Sequence, residues 1–379
     1  MKQGAVSSTD HGGGKRRCGI KNALVISFIG AASFCFRLPN WGKINQRCRL
    51  MRLRRRRKGE ACGAMPVNAV LLLGAGFSKN WNGLIASQIS SDLMSRLQTD
   101  AQLIAMLNRL NFEDALTEVQ REYLHRRTAE SEQRLVLLQN ALSNMFDRMN
   151  RQFQSQPFEF SNDVSRSLQK FLVRFDAIFT LNQDMLLEIH YRNENVVIWH
   201  GTRWQGWEMP GLRPLPLADP MDRAAAKWRP EEPFRSNANM QPYYKLHGST
   251  GWETIDGQRL LVVGRDKTGT IARHPILHWT YQRFEECVRR RPTRVMIIGY
   301  GFGDDHINQT LIDAHQTGTL VLIYLVHPRG RAILNKYPSG LIPGPQPLLD
   351  IPCIECTVPI SVAFSADDMA REHMERIFA

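Results

Sequence analysis

A chain of 379 residues has ample length to bury a core, in one large domain or two smaller ones. Its 43% hydrophobic and 22% charged residues exclude a disordered or fibrous chain and predict a soluble globular body. The net charge of +13 suggests a nucleic-acid binder, yet all of it resides in residues 1–64, where fifteen Lys/Arg meet only Asp10 and Glu60. The rest of the chain is electrically neutral.

That basic extension has three readings. Lys15-Arg16-Arg17 precedes an apolar run, Ala23 to Phe36, of the length of a secretory signal core. Arg52 to Lys58 is a charge block of the kind that forms a nucleic-acid arm. The favoured reading is upstream sequence that is disordered or not native, with the protein starting at Met65; nucleic acid is then a partner only if the arm is real. No later segment approaches the ~20 apolar residues of a membrane span, so no membrane contact is expected. Cys18, Cys35, Cys48 and Cys62 fall in the extension, leaving Cys287, Cys353 and Cys356 in the body. That is no disulfide framework, and it predicts a reducing, cytoplasmic setting.

The body, residues 65–379, opens on Val67 to Leu73, a continuous apolar run expected of a strand buried on both faces. Gly74-Ala75-Gly76-Phe77-Ser78 follows. A glycine turn there lets a pyrophosphate approach the backbone and meet free N–H groups at a helix start. The dehydrogenase fingerprint needs a third glycine where Lys79 stands, so hydride-transfer folds are disfavoured. From about 84 to 172 the period changes to three-to-four (Phe112, Leu116, Val119, Tyr123, then Leu135, Leu138, Leu142, Met145, Met149), with Asn111 a plausible N-cap. This is a helical insertion after the first strand.

Strands are expected again at Ala177 to Thr180, Val196 to Trp199, Tyr243 to Leu246, Arg294 to Ile298 and Leu320 to Val326, with a helix at about Asp305 to Gln316 between the last two. The alternation predicts an α/β, Rossmann-like parallel sheet. Residues 205–240, with six prolines, predict a long surface excursion. Thr180-Leu181-Asn182-Gln183-Asp184 closes the second strand, where open α/β sheets hold ligand-contacting residues. Capping of a helix at Met185 to Tyr191 explains Asn182 and Asp184 equally well. His247, in Tyr244-Lys245-Leu246-His247-Gly248-Ser249, ends another strand, and a lone histidine is more often structural than catalytic.

The order of these corners carries the reading further. Gly-Ala-Gly-x-Ser, Thr-x-Asn-x-Asp, His-Gly and the late turn Gly299-Tyr300-Gly301-Phe302-Gly303-Asp304-Asp305-His306-Ile307-Asn308 together resemble the sirtuin superfamily, over about residues 67–330. The wording is most similar to the sirtuin-like NAD hydrolase domains of bacterial anti-phage systems. The resemblance implies that Gly74, Ala75, Gly76, Phe77 and Ser78 cradle the NAD pyrophosphate. Asn182 would position water beside the nicotinamide ribose with Asp184 in support, and His247 would be the catalytic histidine. Gly299, Gly301, Gly303 and Asp304 would close the adenosine side, although an acid at a helix start is favourable anyway. His200, in His200-Gly201-Thr202, lies nearer the deacetylase spacing and is the alternative to His247. The resemblance also implies assembly, as a homo-oligomer or with a neighbouring ATPase.

Deacetylase members carry a zinc module with two Cys-x-x-Cys pairs before the late turn. Here that interval holds only Cys287, and Cys353-x-x-Cys356 is a single pair beyond the last expected core strand. A tetrahedral site needs two more ligands, so no zinc is expected and water replaces the acyl-lysine acceptor. The expectation is an enzyme that takes NAD as substrate and hydrolyses it, with NAD sensing without turnover and zinc-free deacylation as alternatives.

Overall fold

The computed structural model describes residues 68–191, 203–290, 292–335 and 347–379. The basic extension, the strand expected at Val196 to Trp199, and His200 lie outside the described residues. In chain order the strands are β1 (Asn68–Leu73), β2 (Ala177–Thr180), β3 (Trp207–Glu208), β4 (Leu212–Pro214), β5 (Trp228–Pro230), β6 (Gln241–Lys245), β7 (Gly248–Glu253), β8 (Arg259–Leu261), β9 (Thr293–Ile298), β10 (Leu320–Val326) and β11 (Cys353–Cys356).

Seven of them form one parallel sheet in the order β11-β10-β9-β1-β2-β6-β3. The apolar runs make this possible, because a parallel strand is buried on both faces. Val70, Leu71 and Leu72 have no exposed surface. Alternate side chains then serve two cores. Leu71 and Leu73 pack with the helices that follow β1 and with the C-terminal segment, while Val70 and Leu72 pack with Phe284, Val288, Ile307 and Leu311 on the other face. Helices on both faces of a parallel sheet make this an α/β, Rossmann-like fold.

Four helices of the segment between β1 and β2 (Ala86–Arg96, Ala101–Arg109, Phe112–Arg126, Ala129–Gln154) form a layer of their own. The Asn111 side chain caps Phe112–Arg126 by accepting from Asp114 N–H at 2.9 Å. Ala129–Gln154 turns Leu138, Leu142, Met145, Met149 and Phe153 inward, as the three-to-four spacing predicts.

Two expectations change. Residues 205–240 contain strands: β3 extends the main sheet, and β4 and β5 join β7 and β8 in a second, four-stranded sheet. Two- and three-residue strands carry too little alternation to register in sequence. Cys353–Cys356 does not lie beyond the core either; it is β11, the sheet edge, paired in parallel with β10.

The turns after β1 and β9 meet backbone to backbone. Gly76 N–H donates to Gly299 O at 2.9 Å. A Cβ on Gly299, whose φ is +65°, would stand 2.4 Å from Gly76 C, and one on Gly74 would stand 2.5 Å from Tyr300 Cα. Gly301 differs, for a Cβ there meets nothing within 4 Å. Gly299→Ala should therefore cost about 3 kcal/mol or more, from a left-handed backbone plus overpacking. Gly301→Ala should stay within about 0.5 kcal/mol. Urea unfolding midpoints of the two variants check this, and equal midpoints would remove the contact from any structural role.

Candidate functional site at the carboxyl lip of the sheet

The strands end in register. Val326 pairs with Ile298, Ile298 with Leu73, Leu73 with Thr180, and Thr180 with Lys245. The next residue of each strand donates sideways: Gly299 N–H to Val326 O, Gly74 N–H to Ile298 O, Leu181 N–H to Leu73 O, and Leu246 N–H to Thr180 O. The four motifs leave the sheet side by side along one edge.

The first two motifs touch. Ser78 Oγ donates to Asp184 Oδ2 at 2.8 Å, and Asn182 Nδ2 donates to Ser78 Oγ at 2.9 Å. A hydroxyl has one hydrogen. Because Ser78 spends its hydrogen on the carboxylate, it must accept from the amide, which fixes the amide orientation and turns Asn182 Oδ1 away from Ser78. Asp184 also accepts Leu186 N–H at 3.1 Å, so the helix-capping reading holds beside the functional one. Burial pushes the Asp184 carboxyl above its usual range, against the pull of Lys245, the Leu186 N–H and the Ser78 hydroxyl. Phe77 enters the core with its ring 1% exposed, and its N–H is taken by Gly74 O, so neither faces the edge.

Behind this array lies a fully buried ion pair. Lys245 Nζ stands 2.7 Å from Glu188 Oε1, both side chains are 0% exposed, and Nζ also bonds the Asp184 carbonyl. Glu188 further accepts from Ser249 Oγ at 3.2 Å and Tyr243 Oη at 3.1 Å. From the helical layer, Asn150 accepts Met185 N–H at 3.0 Å and donates to Thr250 Oγ1 at 3.0 Å. Sequence reasoning missed these supports. A lysine between Tyr244 and Leu246 in a buried strand, and a glutamate between Leu187 and Ile189, were the available signals.

His247 sits at the corner between β6 and β7. Gly248 after it has φ +70°, and a Cβ there would lie 2.2 Å from Leu260 O, so the His-Gly pair is a backbone requirement as well. The His247 ring is 3% exposed, and Nε2 lies 3.3 Å from His306 Nε2. Asp304 takes Lys267 Nζ on Oδ1 at 2.8 Å, and Lys267 reaches Glu113 of the helical layer at 3.0 Å. Asp304 occupies the N-cap position of the helix Asp305–Gln316 without a side-chain capping bond, so its carboxylate serves Lys267 instead. His247, His306 and Lys267 outweigh burial in holding that carboxyl below its usual value. Burial drives His247 down to about 3, well under the near-neutral value that suits a free-standing base.

The late turn is locked by its own side chains. Phe302 has a left-handed backbone (φ 55°), and Asn308 Nδ2 donates to its carbonyl at 2.9 Å. Gly301 and Gly303 are exposed, with open space where a Cβ would stand, as is Ala75 across the lip. Gly74, Gly76 and Gly299, by contrast, use their missing Cβ on the backbone of the two turns themselves. A separate cavity of about 840 Å³, lined by Trp207, Glu208, Met209, Leu212 and Trp228, touches none of Gly76, Asn182 and His247. Cys353 and Cys356 are free thiols on β11, and among the described residues no group of three or more His, Cys, Asp or Glu is placed to hold a metal ion.

The His247 shift makes stability depend on pH. An unfolded imidazole takes its proton near 6.5, whereas the folded ring resists to about 3. Between those values the unfolded state binds the extra proton, so this stability is complete above pH 6.5 and is lost as pH falls toward 3. Asp184 and Glu113, both raised, act in the opposite sense. His247→Gln should therefore flatten the acid loss between pH 6 and 4.5 by about 1.4 kcal/mol per pH unit. Unfolding free energies across that range measure it, and an unchanged slope would mean the ring is not held neutral.

Residues 176–337 match the family model of the SIR2-like domain. The match takes in Asn182, Asp184, His247 and the late turn, and starts after the Gly74–Ser78 turn that Ser78 joins to it. A search of curated proteins returns no match. The matched stretch, less than half of the chain, is similar to the SIR2-like domain and contributes β2, β3, β6, β9 and β10 to the parallel sheet.

Proposed function

We propose that this chain hydrolyses NAD to nicotinamide and ADP-ribose, as an effector of bacterial anti-phage defence. The Ser78–Asn182–Asp184 array, at the end of the strand that pairs with the one leading into His247, is the observation that carries this reading. The bond from ribose C1′ to the pyridinium nitrogen breaks with its electron pair on nitrogen, so nicotinamide leaves neutral. A water oxygen adds to C1′, which passes through an oxocarbenium-like state. Asn182 Oδ1 accepts a hydrogen from that water, and Ser78 and Asp184 keep the amide from turning. His247 takes the proton the water sheds. The pyrophosphate of bound NAD brings negative charge that raises the basicity of a nearby imidazole.

Ala75, Gly301 and Gly303 are read as the bed of the dinucleotide, with Gly74, Gly76 and Gly299 shaping its backbone and Asp304 at its adenosine end. Water is the acceptor because the cysteine spacing provides no zinc module and hence no acyl-peptide groove. The anti-phage role and assembly, with further copies of the chain or a neighbouring ATPase, rest on the motif wording. A second reading has an observation of its own: with 9% of Asn182 and 3% of His247 exposed, an NAD- or ADP-ribose-sensing module that does not turn over is favoured by the closed site.

Incubation with NAD and chromatography of nicotinamide tests the hydrolase. The protein, alone or with candidate partners, should release nicotinamide, and Asn182→Ala and His247→Ala should each lower the rate on the order of 10²-fold or more while circular dichroism shows both variants folded. Tight binding of NAD left intact for hours would replace hydrolysis by sensing. In cells challenged with phage, NAD should fall in the wild type and hold in the Asn182→Ala strain.

A further inference from the structure

A buried base that accepts a proton from water must hand it on, and the His247 ring has one recorded hydrogen-bonded neighbour among the described residues. His306 Nε2 lies 3.3 Å from His247 Nε2, with ring centroids 5.4 Å apart. Two ring nitrogens at that distance share one hydrogen, so one ring donates and the other accepts. The rings differ in access, His247 being 3% exposed and His306 half-buried.

His306 is also held in place. It lies in the first turn of Asp305–Gln316, and its carbonyl accepts from Tyr281 Oη at 3.1 Å and from Thr310 Oγ1 at 3.0 Å. Its ring stands 5.6 Å from that of Tyr281. The titratable groups around it are Asp304 and Asp305 on its own segment, Lys267 from Lys267–Arg273, Tyr281 from Pro275–Arg289, and His247. Burial outweighs the pull of Asp304 and, with Lys267, holds both rings below the ordinary histidine value, so the pair is neutral near pH 7.

We propose that His306 is a positioning residue that fixes the tautomer of His247 and carries its proton out to solvent. In the resting pair His247 holds hydrogen on Nε2 and donates it to His306 Nε2, and His306 holds its own hydrogen on Nδ1. When His247 Nδ1 takes a proton from the attacking water, its Nε2 hydrogen crosses to His306 Nε2, and His306 releases its Nδ1 hydrogen to solvent. One proton enters, one leaves, and exchange with water restores both tautomers. The chemistry rests on the hydrolase reading; the pairing of the rings does not.

The test has two arms on the full-length protein. In ¹⁵N-histidine spectra without substrate, His247 should show a single Nε2–H tautomer in the wild type. His306→Gln, whose amide still accepts, should keep that tautomer, and His306→Ala should mix the two. With NAD, His306→Ala and His306→Gln should both lower kcat on the order of 10-fold to 100-fold with KM within about threefold. Added imidazole should restore the rate of His306→Ala, which a merely structural loss would not permit. A His247 tautomer indifferent to His306→Ala overturns the proposal, as does a kcat untouched by either variant. Should the wild type leave NAD intact while the tautomer still depends on His306, the hydrolase reading fails and the pairing stands.

Discussion

Two glycine turns, pressed together backbone to backbone at the centre of the sheet, set the geometry of everything at the lip. β1 and β9 are neighbours, and the chain leaves both at the same level, so Gly74 and Gly76 must pass Gly299 within backbone contact. From that contact the first turn delivers Ser78 to the second motif, and the late turn delivers Asp304 and His306 to the corner of His247. Glycines expected to make room for a ligand make room first for each other. The bare, exposed part of the edge falls to Ala75, Gly301 and Gly303.

Charge links this lip to the helical layer. Lys267 holds Asp304 on one side and Glu113 on the other, and Arg265 binds Asp114 through two hydrogen bonds. Both acids begin the helix Phe112–Arg126, where negative charge also complements the helix dipole. The segment after β8, whose Val262 N–H donates to His247 O, is thereby tied to the insertion as well as to the sheet. Helices that a sequence shows only as an interruption of the α/β pattern turn out to border the candidate site.

Strong periodicity was legible in the sequence and short, irregular pairing was not. Ala177–Thr180, Leu320–Val326 and Asp305–Gln316 fall where their patterns place them, because each is long or apolar enough to declare its period. Trp207–Glu208, Leu212–Pro214 and Trp228–Pro230 lack the length to do so, and Cys353–Cys356 reads as a metal motif before it reads as an edge strand. At the candidate site, the motif residues were legible through their order along the chain. Their supports were not, because Lys245 with Glu188 and Lys267 with Glu113 and Asp304 are partnerships of distant positions. The weak basicity of His247 was hidden for the same reason: residue type gives the ordinary value, and burial of the ring is what lowers it.

The Lys245–Glu188 pair bears on how this fold drifts through evolution. A lone charge stranded in that dry interior is costly, while an apolar pair of similar volume in place of both is often tolerated. The two positions are therefore bound to mutate in concert, and sibling sequences should hold both ions or neither. Lineages that trade the ions for hydrocarbon would give up the ammonium that grips the Asp184 carbonyl, and with it some of the rigidity beneath the Asn182 amide.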